Sequence, residues 1–96
     1  MGADLYERFP EAKAVFEEAD AVLGFSLTKL MFADGEGAAD ALRATEVTQP
    51  ALYTHSLAAD AVLRTHGVRP DVAAGHSLGE WSALAAVGAV SFADGL

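Results

Sequence analysis

Apolar residues recur at helical spacing along most of this chain. Over residues 10–23 they fall three or four positions apart, with Pro10 suited to a first helical turn and Gly24 to a left-handed stop. Residues 26–32 predict a short helix in which Ser26 is the N-cap. Residues 33–40 are rich in glycine and aspartate and predict an exposed connection.

The strongest helical pattern lies between Thr48 and Gly67. Thr48 can cap this helix, Pro50 falls in its first turn, and Gly67 ends it. The residues predicted to face the core are Leu52, Ser56, Ala59 and Leu63, with Leu57, Ala58 and Val62 beside them.

The pattern changes after Pro70. Residues 72–75 form a short apolar run typical of a buried strand, helical spacing resumes at Leu78, and Ser91 can cap a further helix. A lone strand cannot satisfy its own backbone donors and acceptors, so at least two more parallel strands are required as neighbours. The order helix, strand, tight turn, helix predicts an α/β fold with a parallel sheet.

The segment Gly75-His76-Ser77-Leu78-Gly79 matches G-x-S-x-G, the nucleophile elbow. Its serine adopts a strained backbone between strand and helix, and glycine two places away on either side avoids a collision. The amide of Leu78 would then be the first donor of an oxyanion hole. The predicted fold class is therefore a fragment of an α/β-hydrolase-like parallel-sheet subdomain, mostly helical, with one clear strand at about 71–75 leading into the elbow. The competing interpretation makes Ser77 an ordinary N-cap.

No histidine of the chain is a convincing base for Ser77. His76 is its neighbour and is expected to point to the opposite side, where it packs or hydrogen-bonds behind the elbow. His66 follows a helix end and suits a structural role, whereas His55 lies within a helix. Glu80 suits a first-turn anion or a supporting partner, and no metal-ligand spacing is present.

Composition narrows the possible partners. The 96 residues include fourteen acidic and six basic side chains, for a net charge of −8. This balance argues against nucleic acid and anionic membranes as partners, since their phosphates would be repelled. The absence of cysteine excludes a disulfide scaffold and thiolate metal sites, and no apolar stretch has the length of a membrane span. We expect a cytoplasmic protein.

Three stretches resemble a known family. The sequence GHSLGE at 75–80, with the residues that follow it, resembles the malonyl-CoA:acyl-carrier-protein transacylases, to which the acyltransferase domains of polyketide synthases are related. Residues 4–20 and 48–59 agree in the same order. Trp81 stands where tyrosine is common in the family.

The resemblance implies a ping-pong transfer of malonyl from coenzyme A to acyl carrier protein through an ester of Ser77. It implies Leu78 as an oxyanion donor, and the candidate substrate-binding residues are Gln49 and His76. It implies no cofactor and no metal, since the coenzyme A thioester and the carrier's phosphopantetheine are substrates, and a monomer at full length.

Parts of the family pattern are missing from the sequence. The resemblance places a strand with a glycine-glutamine-glycine turn before residue 1, and a catalytic histidine and a carboxylate-binding arginine after Leu96. We therefore expect residues 1–96 to be a single incomplete domain with little or no activity alone. A polyketide synthase acyltransferase piece, a serine esterase of the α/β-hydrolase type and a non-catalytic helical interaction module remain alternatives.

Overall fold

Every regular element in the described part of this computed structural model, residues 2–32 and 45–96, is a helix. The connection predicted at 33–40 lies outside the described residues. The helices are α1 (Ala3–Arg8), α2 (Pro10–Leu23), α3 (Leu27–Phe32), α4 (Thr45–Thr65), α5 (Leu78–Ala86) and α6 (Phe92–Gly95).

Helix α2 begins and ends where its sequence predicts. Pro10 occupies its first turn, where a proline removes no hydrogen bond, after an extended Phe9. Gly24 closes the helix with a φ of 76°, and its amide donates to the Asp20 carbonyl at 3.1 Å. A residue with a side chain is strained at that φ, so glycine is the natural terminator.

Helix α3 begins beside a carboxylate of α2. Asp20 Oδ1 accepts a hydrogen bond from the Thr28 amide at 3.0 Å, and its Oδ2 accepts one from the Thr28 hydroxyl at 2.7 Å. The Ser26 hydroxyl lies only within 3.4 Å of the Thr28 hydroxyl. The first-turn amide of Thr28 is therefore satisfied by Asp20, which joins α2 to α3, and not by the predicted cap Ser26.

Helix α4 is longer than predicted. It runs Thr45–Thr65, so Thr48 lies inside it and is not its cap. Pro50 also lies inside the helix, where it leaves one carbonyl without its usual partner. Gly67 follows its end with a φ of 82°, as predicted.

The core forms where α2 packs against α4, which in turn packs against α5. The buried apolar residues are Ala12, Phe16, Ala19, Leu27, Met31, Ala51, Tyr53, Leu57, Ala58 and Val62. The prediction for α4 was only partly correct, because Leu52 and Leu63 are 44% and 50% exposed while Leu57, Ala58 and Val62 are buried. Fully buried alanines on both helices suit a close approach of α2 and α4, while Leu52 and Leu63 lie on the more exposed side of α4.

The strand predicted at 71–75 is not confirmed, because these residues belong to no strand or helix. A strand needs a neighbour to pair with, and none lies in the described ranges 2–32 and 45–96. Val72 is accordingly 85% exposed. The mostly helical character is confirmed, and the elbow follows an irregular segment.

Candidate active site

Ser77 has an unusual backbone conformation. Its φ of 55° and ψ of −116° lie outside the regions that residues with side chains normally occupy. Among the described residues it is the one non-glycine residue with positive φ. Such a conformation costs about 1–3 kcal/mol and persists only where the surrounding structure imposes it.

Ser77 and Ser91 each directly precede a helix, α5 and α6 respectively, and they differ. Ser91 has extended backbone angles of −73° and 158°, and its hydroxyl accepts a hydrogen bond from the Asp94 amide at 3.1 Å. Ser77 makes no such hydrogen bond to α5, and its side chain is exposed. Ser91 is therefore an ordinary N-cap, as predicted, whereas the cap interpretation of Ser77 lacks the hydrogen bond that defines it.

The two glycines of the elbow have different roles. A Cβ on Gly75 would lie within 3.0 Å of three backbone atoms, the carbonyl carbon and oxygen of Gly79 and the amide nitrogen of Glu80. A Cβ on Gly79 would meet nothing within 4 Å. The prediction that glycine avoids a collision is therefore confirmed at Gly75. At Gly79 a Cβ would collide with no atom of the described residues.

The first amides of α5 are used unequally. Gly79 N–H donates to the His76 carbonyl at 3.0 Å, and Glu80 N–H donates to the Ser77 carbonyl at 3.1 Å. The Leu78 amide has no acceptor among residues 2–32 and 45–96. A free amide at a helix N-terminus, directly after an exposed hydroxyl, can stabilise the negative oxygen that forms on a carbonyl group attacked by that hydroxyl.

A cleft of about 490 Å³ lies beside α5 and brings two candidate residues together. Gln49 of α4 and Leu78 of α5 line it. The remaining lining residues are Pro50, Tyr53, Trp81, Gly95 and Leu96. Ser77 and His76 do not line this cleft, although Ser77 directly precedes Leu78.

The histidines do not supply a base for Ser77 in the described residues. His66 Nδ1 lies 2.9 Å from the Val62 carbonyl, and its ring meets Phe9 edge-on at 6.4 Å. A bond to a carbonyl requires the proton on Nδ1, so His66 has the structural role predicted for it. His55 is half-buried beside Phe16 and Gly2, and His76 is exposed without a hydrogen-bond partner among the described side chains.

The far end of α5 is held by a charged residue that the sequence analysis did not single out. The Arg64 guanidinium donates to the Ala86 carbonyl at the last turn of α5 and to Asp60 Oδ2 at 2.6 Å. A cation suits the negative end of a helix. The i, i+4 spacing of Asp60 and Arg64 was a sequence signal for this pair, but the Ala86 contact is tertiary.

Within residues 2–32 and 45–96, no three histidine, aspartate or glutamate side chains group as a metal site requires. None of the helices in this described part of the chain combines the length and hydropathy needed to cross a membrane.

Comparison with known proteins finds relatives that match almost the whole of this chain. The family model described as "Acyl transferase domain" matches residues 1–96. Malonyl CoA-acyl carrier protein transacylase of Bacillus subtilis (strain 168) is 50% identical over 94 residues, which cover 98% of this chain and 29% of the relative. The protein of the same name from Escherichia coli O157:H7 is 44% identical over 95 residues, which cover 98% of this chain and 30% of the relative.

A solved structure shows the same arrangement. The crystal structure of malonyl CoA-acyl carrier protein transacylase from Clostridium perfringens ATCC 13124 matches with a TM-score of 0.90 at 41% identity, over 99% of this chain and 29% of that chain. This chain thus spans less than a third of the length of these relatives. The resemblance found in the sequence is confirmed, and the chain belongs to the acyl transferase domain family.

Proposed function

We propose that this chain forms the nucleophile-bearing part of a malonyl-CoA:acyl-carrier-protein transacylase of fatty-acid synthesis, with Ser77 as the nucleophile. The observation that carries the proposal is the strained backbone of an exposed serine that makes no cap hydrogen bond to the helix behind it. The relatives named for this activity support the choice of reaction.

The proposed reaction has two steps. The Ser77 oxygen attacks the thioester carbonyl of malonyl-CoA, the C–S bond breaks, and coenzyme A leaves as the thiol with the serine proton. The phosphopantetheine thiol of acyl carrier protein then attacks the serine ester, and the serine regains a proton. The Leu78 amide stabilises the carbonyl oxygen while it is negative. No residue of this chain is proposed as the base.

The same proposal covers the substrate contacts, the sheet and the domain organisation. Gln49 and His76 contact substrate, the 71–75 segment joins a parallel sheet of an α/β-hydrolase-like domain, and residues 1–96 are part of one domain. The reaction needs no cofactor, because a serine ester and two thioesters complete it. A cytoplasmic location and a monomeric whole enzyme complete the proposal.

The test uses a chimera in which this chain replaces the 94 matched residues of the Bacillus subtilis relative. We expect radiolabelled malonyl-CoA to label the chimera covalently and acyl carrier protein to remove the label. Ser77→Ala should reduce transfer by about 10³-fold or more, since it removes the nucleophile. Ser91→Ala removes a serine from the same position of the next helix and should retain labelling.

Two outcomes would contradict the proposal. Covalent labelling that persists in Ser77→Ala would show that Ser77 is not the nucleophile. An acyl-enzyme that hydrolyses rapidly without a thiol acceptor would identify a serine esterase instead.

A further inference from the structure

Tyr53 joins two distant parts of the chain beside the cleft. Its phenol donates a hydrogen bond to the Phe92 carbonyl at 2.9 Å, and the two rings stack with centroids 5.4 Å apart and 20° between their planes. The Tyr53 side chain is 1% exposed. Burial raises the pKa of this phenol, and the negative charges of Glu18 and Asp94 raise it further. The hydroxyl is therefore protonated and able to donate at neutral pH.

Gly95 is matched to the Tyr53 hydroxyl. A Cβ at position 95 would overlap the Tyr53 hydroxyl oxygen, and would lie 2.9 Å from Cζ and 3.2 Å from Cε2. The Gly95 amide donates to the Ser91 carbonyl at 3.0 Å, and the Leu96 amide donates to the Phe92 carbonyl at 3.1 Å. The Phe92 carbonyl thus accepts two hydrogen bonds, one from the Tyr53 hydroxyl and one from the Leu96 amide. A side chain at position 95 would not fit beside the Tyr53 hydroxyl.

The cleft is lined by both residues of this contact. Tyr53 follows Gln49 by one turn of α4, and Gly95 and Leu96 line the cleft together with Leu78. Because Gly95 belongs to α6, the position of α6 shapes the cleft that Leu78 also lines.

We propose that Tyr53 is a positioning residue, which holds α6 against α4 through the Phe92 carbonyl and so fixes the cleft wall beside the Leu78 amide. The inference rests on the proposed function, because it assigns this cleft to substrate. Tyr53 touches no reacting atom. It acts through Phe92 and Gly95, and Gly95 is required because the hydroxyl fills the space of a Cβ.

The test is a double-mutant cycle in the same chimera. Tyr53→Phe keeps the ring and its stacking and removes only the hydroxyl. We expect a KM for malonyl-CoA raised about 3- to 10-fold with kcat changed less than about 2-fold, because loss of one buried hydrogen bond loosens the cleft wall and leaves Ser77 in place.

The second arm of the cycle tests whether Gly95 is required by the Tyr53 hydroxyl that lies against it. Gly95→Ala should raise KM at least as much as Tyr53→Phe, because its Cβ displaces the tyrosine. In the Tyr53→Phe background the effect of Gly95→Ala should fall at least about 3-fold, because the overlapping oxygen is gone while two ring carbons remain close.

Hydrogen exchange gives a readout that does not depend on turnover. Tyr53→Phe should accelerate exchange of the Gly95 and Leu96 amides at least about 5-fold, since α6 loses its tie to α4. Unchanged exchange, or an unchanged KM with additive effects in the cycle, would overturn the inference. Faster exchange together with transfer that survives Ser77→Ala would instead overturn the proposed function and leave the Tyr53 contact supported.

Discussion

Gly75→Ala should damage the elbow far more than Gly79→Ala, although both glycines belong to the same motif. At Gly75 the added carbon would collide with the backbone of Gly79 and Glu80, which cannot rotate aside as the tip of a side chain can. The chain would have to open between residues 75 and 79. At Gly79 the added carbon enters open space on a helical residue.

The size of the effect follows from what the opening disrupts. It would pull apart the hydrogen bonds from Gly79 to His76 and from Glu80 to Ser77, each worth about 1 kcal/mol. The backbone shift needed to admit the extra carbon adds about 1–3 kcal/mol. We therefore expect Gly75→Ala to cost about 3–5 kcal/mol. Gly79→Ala should be neutral or stabilising by up to about 1 kcal/mol, because alanine favours helix over glycine.

The assay is urea unfolding of the 96-residue chain, followed by far-ultraviolet circular dichroism. A loss of about 3 kcal/mol lowers the midpoint by roughly 1–3 M, which is a large part of the stability of a small domain. Equal midpoints for Gly75→Ala and Gly79→Ala would refute the close approach at Gly75, because the two changes are chemically identical.

Two further predictions concern the helical framework. Asp20→Ala should destabilise the chain by about 1–2 kcal/mol in the same urea assay, because it removes both hydrogen bonds to Thr28. The control Ser26→Ala should change the free energy of unfolding by less than about 0.5 kcal/mol. A larger loss for Ser26→Ala would show that Ser26 is the N-cap of α3 after all. Burial and nearby acidic groups raise the pKa of Tyr53 above its usual 10.0, so its contribution to stability is present below about pH 10 and lost as pH rises through the folded pKa. The midpoint of the chain should therefore fall relative to that of Tyr53→Phe as the pH rises above about 10, and parallel curves would contradict this.

The sequence predicted helices best where local signals and packing agree. Pro10 and Gly24 mark α2 because proline and positive-φ glycine act through the backbone, independently of distant residues. At α3 the local signal was misleading, since Asp20 satisfies the first-turn amide and Ser26 does not. The start of α4 was missed because a proline inside a helix removes one hydrogen bond, a loss that tertiary packing can offset.

The buried face of α4 could not be chosen from its pattern. Apolar residues surround much of this helix, so their spacing permits more than one buried stripe. The structure buries Ala51 and Ala58 and leaves Leu52 and Leu63 partly exposed, because close helix packing favours small residues at the contact. Hydrophobicity alone would predict that Leu52 and Leu63 are the buried residues.

The candidate site was predicted in part. The sequence singled out Ser77 and Leu78 from glycine spacing, and Gln49 from the family resemblance. It did not single out Tyr53 or Arg64, whose partners Phe92 and Ala86 lie 39 and 22 residues away. Such contacts are set by the packing of helices against one another, which no local pattern specifies. The 71–75 segment was assigned to a strand because its composition suits one, yet strand formation depends on a neighbouring chain segment.

The conformation of Ser77 has a consequence for how this protein responds to selection. Glycine tolerates positive φ without strain, so its presence at position 77 would relieve about 1–3 kcal/mol while removing the hydroxyl. A laboratory evolution campaign that rewards heat resistance alone would therefore favour the loss of Ser77. Selection for higher thermal tolerance therefore retains Ser77 only when each round also screens the Bacillus subtilis chimera for the proposed acyl transfer.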